Sequence, residues 1–178
     1  IRDCLLSRGL GDVYKRQMYG VSVKQVKGSA DFIGLNYYTH VLTSPFLPQT
    51  TEIDLPSRNH ETVTEFGYPM YAEGLDRASK WLSKLNLPIE ITENGVADKE
   101  DNLRPKHLKR HLWMIAKLIQ EGIDIKSYYH WSLMDNFEWA EGYSMRFGLY
   151  HVDYETQKRT LRASGKAYQS IIKQHQNN

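Results

Sequence analysis

An alternation of strand-like and helix-like segments, running from residue 31 almost to the last residue, constrains this chain more than any other feature. Residues 31–38, Asp-Phe-Ile-Gly-Leu-Asn-Tyr-Tyr, are rich in the aromatic and branched side chains that favour strands. Leu75, Ala78, Leu82 and Leu85 then recur at helical spacing. The short apolar run Leu87-Pro88-Ile89-Glu90-Ile91, closed by Gly95, reads as a buried strand ending at Glu93. Pro105 suits the first position of a second helix, with the stripe Leu108, Leu112, Ile115 and Ile119 and a stop at Gly122. A strand over 125–133 follows, and a last helix from about Ser164 carries Ala167, Tyr168, Ile171 and Ile172. Strict alternation predicts an α/β fold, a parallel sheet with helical crossovers. Three such units do not close a barrel on their own.

The opening residues are a separate matter. The string Asp12-Val13-Tyr14-Lys15-Arg16-Gln17 resembles the translated mosaic-end adaptor of transposon-based sequencing libraries, so residues 1–17 are expected to be non-native. Setting them aside removes four basic and two acidic side chains from totals of 23 and 21, and the formal charge falls from +2 to zero. No basic bias remains to suggest a nucleic-acid or anionic-membrane partner. The only cysteine, Cys4, lies in the same segment, which leaves the remainder without disulfides or thiolate metal sites. No run approaches the roughly twenty apolar residues of a membrane span. A cytoplasmic location is the default expectation, any leader lying upstream of Met18. Aromatic residues make up 12% of the chain, which suits a carbohydrate-binding surface and a buried core equally. The loop over 40–71, with Pro45, Pro48, Pro56 and Pro69, is too long for an ordinary connection and is expected to be functional.

Chemistry-bearing side chains sort to one end of the predicted sheet. Asn36 and Tyr38 end the first strand, Glu93 the second and Trp131 the third, with Glu138 and Trp139 in the loop beyond. Barrel enzymes place their sites at that end of their strands. Each residue also has a plainer reading: a turn for Asn36 and for Glu93-Asn94-Gly95, a core ring for Tyr38 and Phe147. His107 and His111 stand four apart on the second helix, yet no third ligand accompanies them. They are read as solvated helix histidines, and no metal or cofactor is expected. His130 and His151 have no assigned partner. Asp135 and Glu141 are carboxylates near Glu138 that could be mistaken for a catalytic acid.

Four segments in order then carry a resemblance. They are Asp31-Phe32-Ile33-Gly34-Leu35-Asn36-Tyr37-Tyr38, Ile91-Thr92-Glu93-Asn94-Gly95, Trp131-Ser132-Leu133-Met134-Asp135-Asn136-Phe137-Glu138-Trp139, and Arg146-Phe147-Gly148-Leu149-Tyr150-His151-Val152-Asp153-Tyr154. Residues 18–174 are similar to the carboxyl-terminal portion of glycoside hydrolase family 1, the family of retaining β-glucosidases and β-galactosidases. The resemblance implies that residues 18–178 are about the last three βα units of a (β/α)8 TIM-barrel catalytic domain. It implies Glu93 as nucleophile and Tyr38 as the phenol that orients it. Asn36, Trp131, Glu138, Trp139 and Phe147 would bind the sugar: Trp131 as an indole platform, Glu138 and Trp139 at the outer hydroxyls. The implied partner is a neutral β-glycoside or oligosaccharide, since a glutamate at 138 would repel a sugar phosphate. Oligomeric state stays open.

The family's second carboxylate sits in an Asn-Glu-Pro motif, and no Asn-Glu-Pro occurs here. The chain by itself is therefore expected to hydrolyse no glycoside at a useful rate, and its open sheet edges to leave it marginally stable or prone to aggregate. Two alternatives stay beside the retaining glycosidase: a klotho-like binding protein on the same barrel, and a myrosinase-like thioglucosidase in which glutamine replaces the acid.

Overall fold

The structure, a computed structural model, describes residues 30–40 and 60–176, and the elements below all belong to the unit that begins at Phe32. Strands Ile33–Asn36 (β1), Ile89–Asn94 (β2) and Ile125–His130 (β3) form one sheet in that order, and both pairings are parallel. Helix Ala72–Leu82 (α1) joins β1 to β2, and helix Arg104–Gln120 (α2) joins β2 to β3. An antiparallel hairpin, Tyr150–Val152 (β4) with Arg159–Leu161 (β5), precedes the last helix, Ala163–Gln176 (α3). The predicted alternation is present. The hairpin was not predicted, because strands of three residues are too short to show a period. Pro45, Pro48 and Pro56 lie outside the described residues. No described helix is long and apolar enough to cross a membrane.

Alternation along the strands sends Tyr37, Ile89, Ile91 and Ile125 into a core shared with Leu75, Met114, Ile115 and Leu118. Two strands are shorter than predicted. β1 stops at Asn36, where its register on β2 shifts. β3 stops at His130, because Ser132 and Leu133 turn toward the hairpin, their carbonyls accepting from Leu149 N (3.0 Å) and Tyr150 N (2.9 Å). Helix faces differ too. α1 ends at Leu82 and Leu85 falls in the following 3-10 turn, where it is exposed. On α2 the buried stripe runs through His107, Leu108, His111, Ile115 and Leu118, while Ile119 faces outward. Ile172 on α3 is exposed as well.

The two histidines on α2 are thus core residues, which corrects the expectation that they are solvated. Their rings stack at 3.9 Å, His111 Nδ1 lies 2.8 Å from the His107 carbonyl, and His111 also packs against the Tyr37 ring. His130 belongs to the same seam, close enough for its charge to be felt at His107. Burial holds the His107 imidazole well below its ordinary pKa and pushes His111 down to about 4 and His130 down to about 3. The Arg104 guanidinium adds to this at His107 and His130; Glu73 opposes it at His111 and Asp101 at His130.

Three aspartates bind the loops beneath the sheet end. The Asp98 carboxylate accepts from Leu103 N (2.7 Å) and Arg104 N (2.9 Å), so it caps α2 from five residues upstream. Asp101 pairs with the fully buried Arg104 and accepts from Ser164 N (2.8 Å) at the start of α3. Asp135 is the densest node. Its Oδ1 accepts from Gly148 N (2.9 Å), and its Oδ2 accepts from Arg146, Arg162 and Val152 N at 3.2 Å each. It is buried and fully committed, which removes it as an acid.

Two outcomes follow. Neutral buried imidazoles gain protons on unfolding once the pH drops below about 6.5, so stability falls with falling pH from there toward about 4 for His111 and about 3 for His130. Melts between about pH 7 and about pH 4.5 should show a falling midpoint, with a dependence that His111→Phe flattens by up to ~1.4 kcal/mol per pH unit; a flat midpoint would contradict the buried seam. Asp135→Ala strips two guanidinium groups of their shared carboxylate and is expected to cost about 3–5 kcal/mol in urea unfolding. A cost under about 1 kcal/mol would place Asp135 outside the core network.

Candidate active site

Parallel pairing brings the carboxyl ends of β1, β2 and β3 to one edge, and that is where the sequence-predicted residues meet. Asn36 and Glu93 are partners in the β1–β2 register, and Tyr37 N donates to the Glu93 carbonyl at 2.8 Å. One residue on, the Tyr38 hydroxyl donates to Glu93 Oε2 at 2.9 Å. The Tyr38 ring is held edge-on by Phe147 at 6.3 Å and by Tyr68 at 6.3 Å. Burial, then the hydrogen bond and charge of Glu93, push this phenol well above its usual pKa, so it stays protonated and remains a donor.

The other predicted residues take distinct places. Glu138 lies close enough that its negative charge raises both Tyr38 and Tyr68. Its main chain is set by a tight turn, Glu138 N donating to the Gly142 carbonyl at 2.6 Å. Trp139 follows at a positive φ of 42° and is 81% exposed. Trp131 is half-buried; its N donates to the Asn94 carbonyl at 2.9 Å, and its own carbonyl occupies the space a Cβ at Gly95 would need. That close approach explains the glycine two residues after Glu93. Asn36 is exposed on the sheet face away from the helices, where its Oδ1 accepts from the Thr92 hydroxyl at 2.6 Å. Phe147 is buried, edge-on to the Tyr38 ring at 6.3 Å and tilted against Phe66 at 6.0 Å.

Sequence reasoning missed three contributors. Phe66 and Tyr68 come from a small hairpin within the long loop, where Thr64 N donates to the Tyr68 carbonyl at 3.0 Å; the loop's length was the available signal. Asn94 was given no role beyond the plainer reading of a turn, and it ends β2 fully buried. His151 Nδ1 lies 3.4 Å from Asp135 Oδ2, and His130, opposite Asn94 in the β2–β3 register, belongs to the buried seam with His107 and His111. A groove of about 440 Å³ is bordered by Phe137, Tyr143 and Tyr154, and neither Glu93 nor Tyr38 lines it. The cluster itself offers one carboxylate with a fixed hydrogen-bond donor, a second carboxylate nearby and an exposed indole. Such a set can bind a polyhydroxylated ligand and present a nucleophilic oxygen to it.

The family model described as Glycosyl hydrolase family 1 matches residues 14–177, a span that starts within the adaptor-like opening segment. The beta-galactosidase of Sulfolobus acidocaldarius is 36% identical over 165 residues, covering 86% of this chain and 34% of that protein. Beta-glucosidase A of Thermotoga maritima is 38% identical over 176 residues, covering 90% of this chain and 38% of that one. The crystal structure of a hyperthermophilic beta-glucosidase from Pyrococcus furiosus superposes with a TM-score of 0.77 at 37% identity, over 94% of this chain and 38% of that chain. The chain thus spans about a third of the length of the relatives it matches, and its three βα units correspond to the carboxyl-terminal part of a (β/α)8 barrel. The chain belongs to glycosyl hydrolase family 1.

Proposed function

We propose that the protein containing this chain is a retaining β-glycosidase acting on neutral β-glycosides, with Glu93 as its nucleophile. The observation that carries this is the 2.9 Å bond from Tyr38 to Glu93 Oε2 at the carboxyl end of a parallel sheet. The phenol occupies one carboxylate oxygen and orients the group, leaving Oε1 to attack. In the first step Oε1 bonds to the anomeric carbon, the bond from that carbon to the aglycone oxygen breaks, and a second carboxylic acid protonates the departing oxygen. In the second step that carboxylate takes a proton from water, the water oxygen bonds to the anomeric carbon, and Glu93 leaves as carboxylate. Glu138 would accept from the outer sugar hydroxyls, the Trp139 indole N–H would donate to them, and Trp131 would supply an apolar platform. Relatives named beta-glucosidase and beta-galactosidase support a neutral hexoside as glycone.

The acid must stand about 5–5.5 Å from the nucleophile. With Asp135 locked in its arginine node and no Asn-Glu-Pro in the sequence, that acid is assigned to residues outside this chain. The phenol held on Glu93 favours an enzyme over a klotho-like binder, since binding alone has no use for an oriented nucleophile. An activated 2-deoxy-2-fluoro-β-glucoside, incubated with the full reading frame that carries this chain, is expected to add its sugar covalently at Glu93. Glu93→Gln should take up none. Tyr38→Phe removes a hydrogen bond to a charged group worth about 1.5–3 kcal/mol, so labelling should slow by about tenfold to a hundredfold. Labelling at another residue, or equal labelling in Glu93→Gln, would refute the assignment. Turnover of an aryl β-glucoside by the isolated chain would refute the half-site.

A further inference from the structure

We infer that Asn94 is a positioning residue, a clamp across the three strand ends that sets Tyr38, Glu93 and Trp131 in register with one another; this rests on the nucleophilic role proposed for Glu93. Asn94 is fully buried at the last position of β2. Its Nδ2 donates to the Tyr37 carbonyl at 2.7 Å, which holds the end of β1. Its Oδ1 accepts from the Tyr128 hydroxyl at 3.0 Å, which holds β3. Its main-chain carbonyl accepts from Trp131 N at 2.9 Å. Each tethered residue is a neighbour of a site residue or is one itself: Tyr37 precedes Tyr38, Asn94 follows Glu93, and Trp131 is the proposed platform.

The position requires an amide. A carbonyl can only accept, so the group facing Tyr37 must donate, and the phenol of Tyr128 then supplies the proton to the other side. Among short side chains asparagine alone presents a rigid donor and acceptor in opposite directions. Aspartate keeps the acceptor and loses the donor, and it sets a charge against a carbonyl oxygen. Both strand pairings become irregular near this point, between Leu35 and Asn36 and between Ile91 and Asn94, so the ladder alone does not dictate where Tyr38 and Trp131 stand. The side-chain clamp supplies what the irregular ladder omits.

The test uses the full reading frame with Asn94→Asp, Tyr38→Phe and the pair. Asn94→Asp is expected to lower kcat and the rate of covalent labelling by about tenfold to a hundredfold, with KM changed by less than about threefold. In the Tyr38→Phe background the same change should cost under a third of that factor, because one acts through the other. Equal factors in both backgrounds, or an unchanged kcat, would overturn the proposal. Should Asn94→Asp fail to fold, Tyr128→Phe removes a single tether and should give a smaller kcat loss with the same non-additivity; additivity there would overturn it equally. Hydrogen exchange gives a readout independent of turnover. The amides of Tyr37 and Trp131 should lose protection in Asn94→Asp while those of the α2 core keep theirs. If the unsubstituted protein neither turns over nor labels, the glycosidase assignment fails, and exchange still decides the clamp: unchanged protection at Tyr37 and Trp131 would refute it.

Discussion

Everything at this site depends on β2 lying between two strands that run in its own direction. Parallel pairing is what puts Tyr38, Glu93 and Trp131, drawn from three separate stretches of chain, at a common edge. A hairpin sheet would have scattered them to opposite ends. Parallel neighbours require long crossovers, and the helices that supply them also bury the other side of the sheet. Architecture and site geometry therefore have one cause.

The acidic residues divide by environment into two kinds. Asp98, Asp101 and Asp135 accept from main-chain N–H groups, and Asp101 and Asp135 also from guanidinium groups, so they are structural anchors. Glu93 is half-exposed and has a single tyrosine hydroxyl on one oxygen. A carboxylate meant to form and break a bond needs an oxygen that is not tied into the fold; Asp135 has both of its oxygens so tied. Proximity to the pocket in sequence does not distinguish them; the hydrogen-bond inventory does. Asp135 stands three residues from Glu138, and its oxygens serve two arginines.

Much of this was legible in the residues. The order of strands and helices could be read because β2 and α2 carry the periods their geometry demands, and Glu93 and Tyr38 stood out because motif and strand end coincided. The register of α2's buried face was misread because histidine is scored as polar, while a neutral imidazole stacked on another packs like an aromatic ring. Asn94 was passed over because asparagine before glycine is a turn signal, and nothing local reveals that its amide reaches Tyr37, 57 residues away. Phe147 could be seen as aromatic and near the site; that its edge meets the Tyr38 ring depended on a loop whose path sequence does not encode locally. The hairpin of β4 and β5 escaped notice through brevity alone.

Asp101 holds Arg104 at the first turn of α2 with one oxygen and accepts Ser164 N at the first turn of α3 with the other, across 63 residues. The connection that leaves the strand bearing Glu93 is thereby fastened to the terminal helix. Unwinding the first turn of α3 would free one oxygen of Asp101 and loosen the turn that opens α2. A substitution at Ser164 that distorts this turn is consequently not neutral for the segment that follows the Glu93 strand.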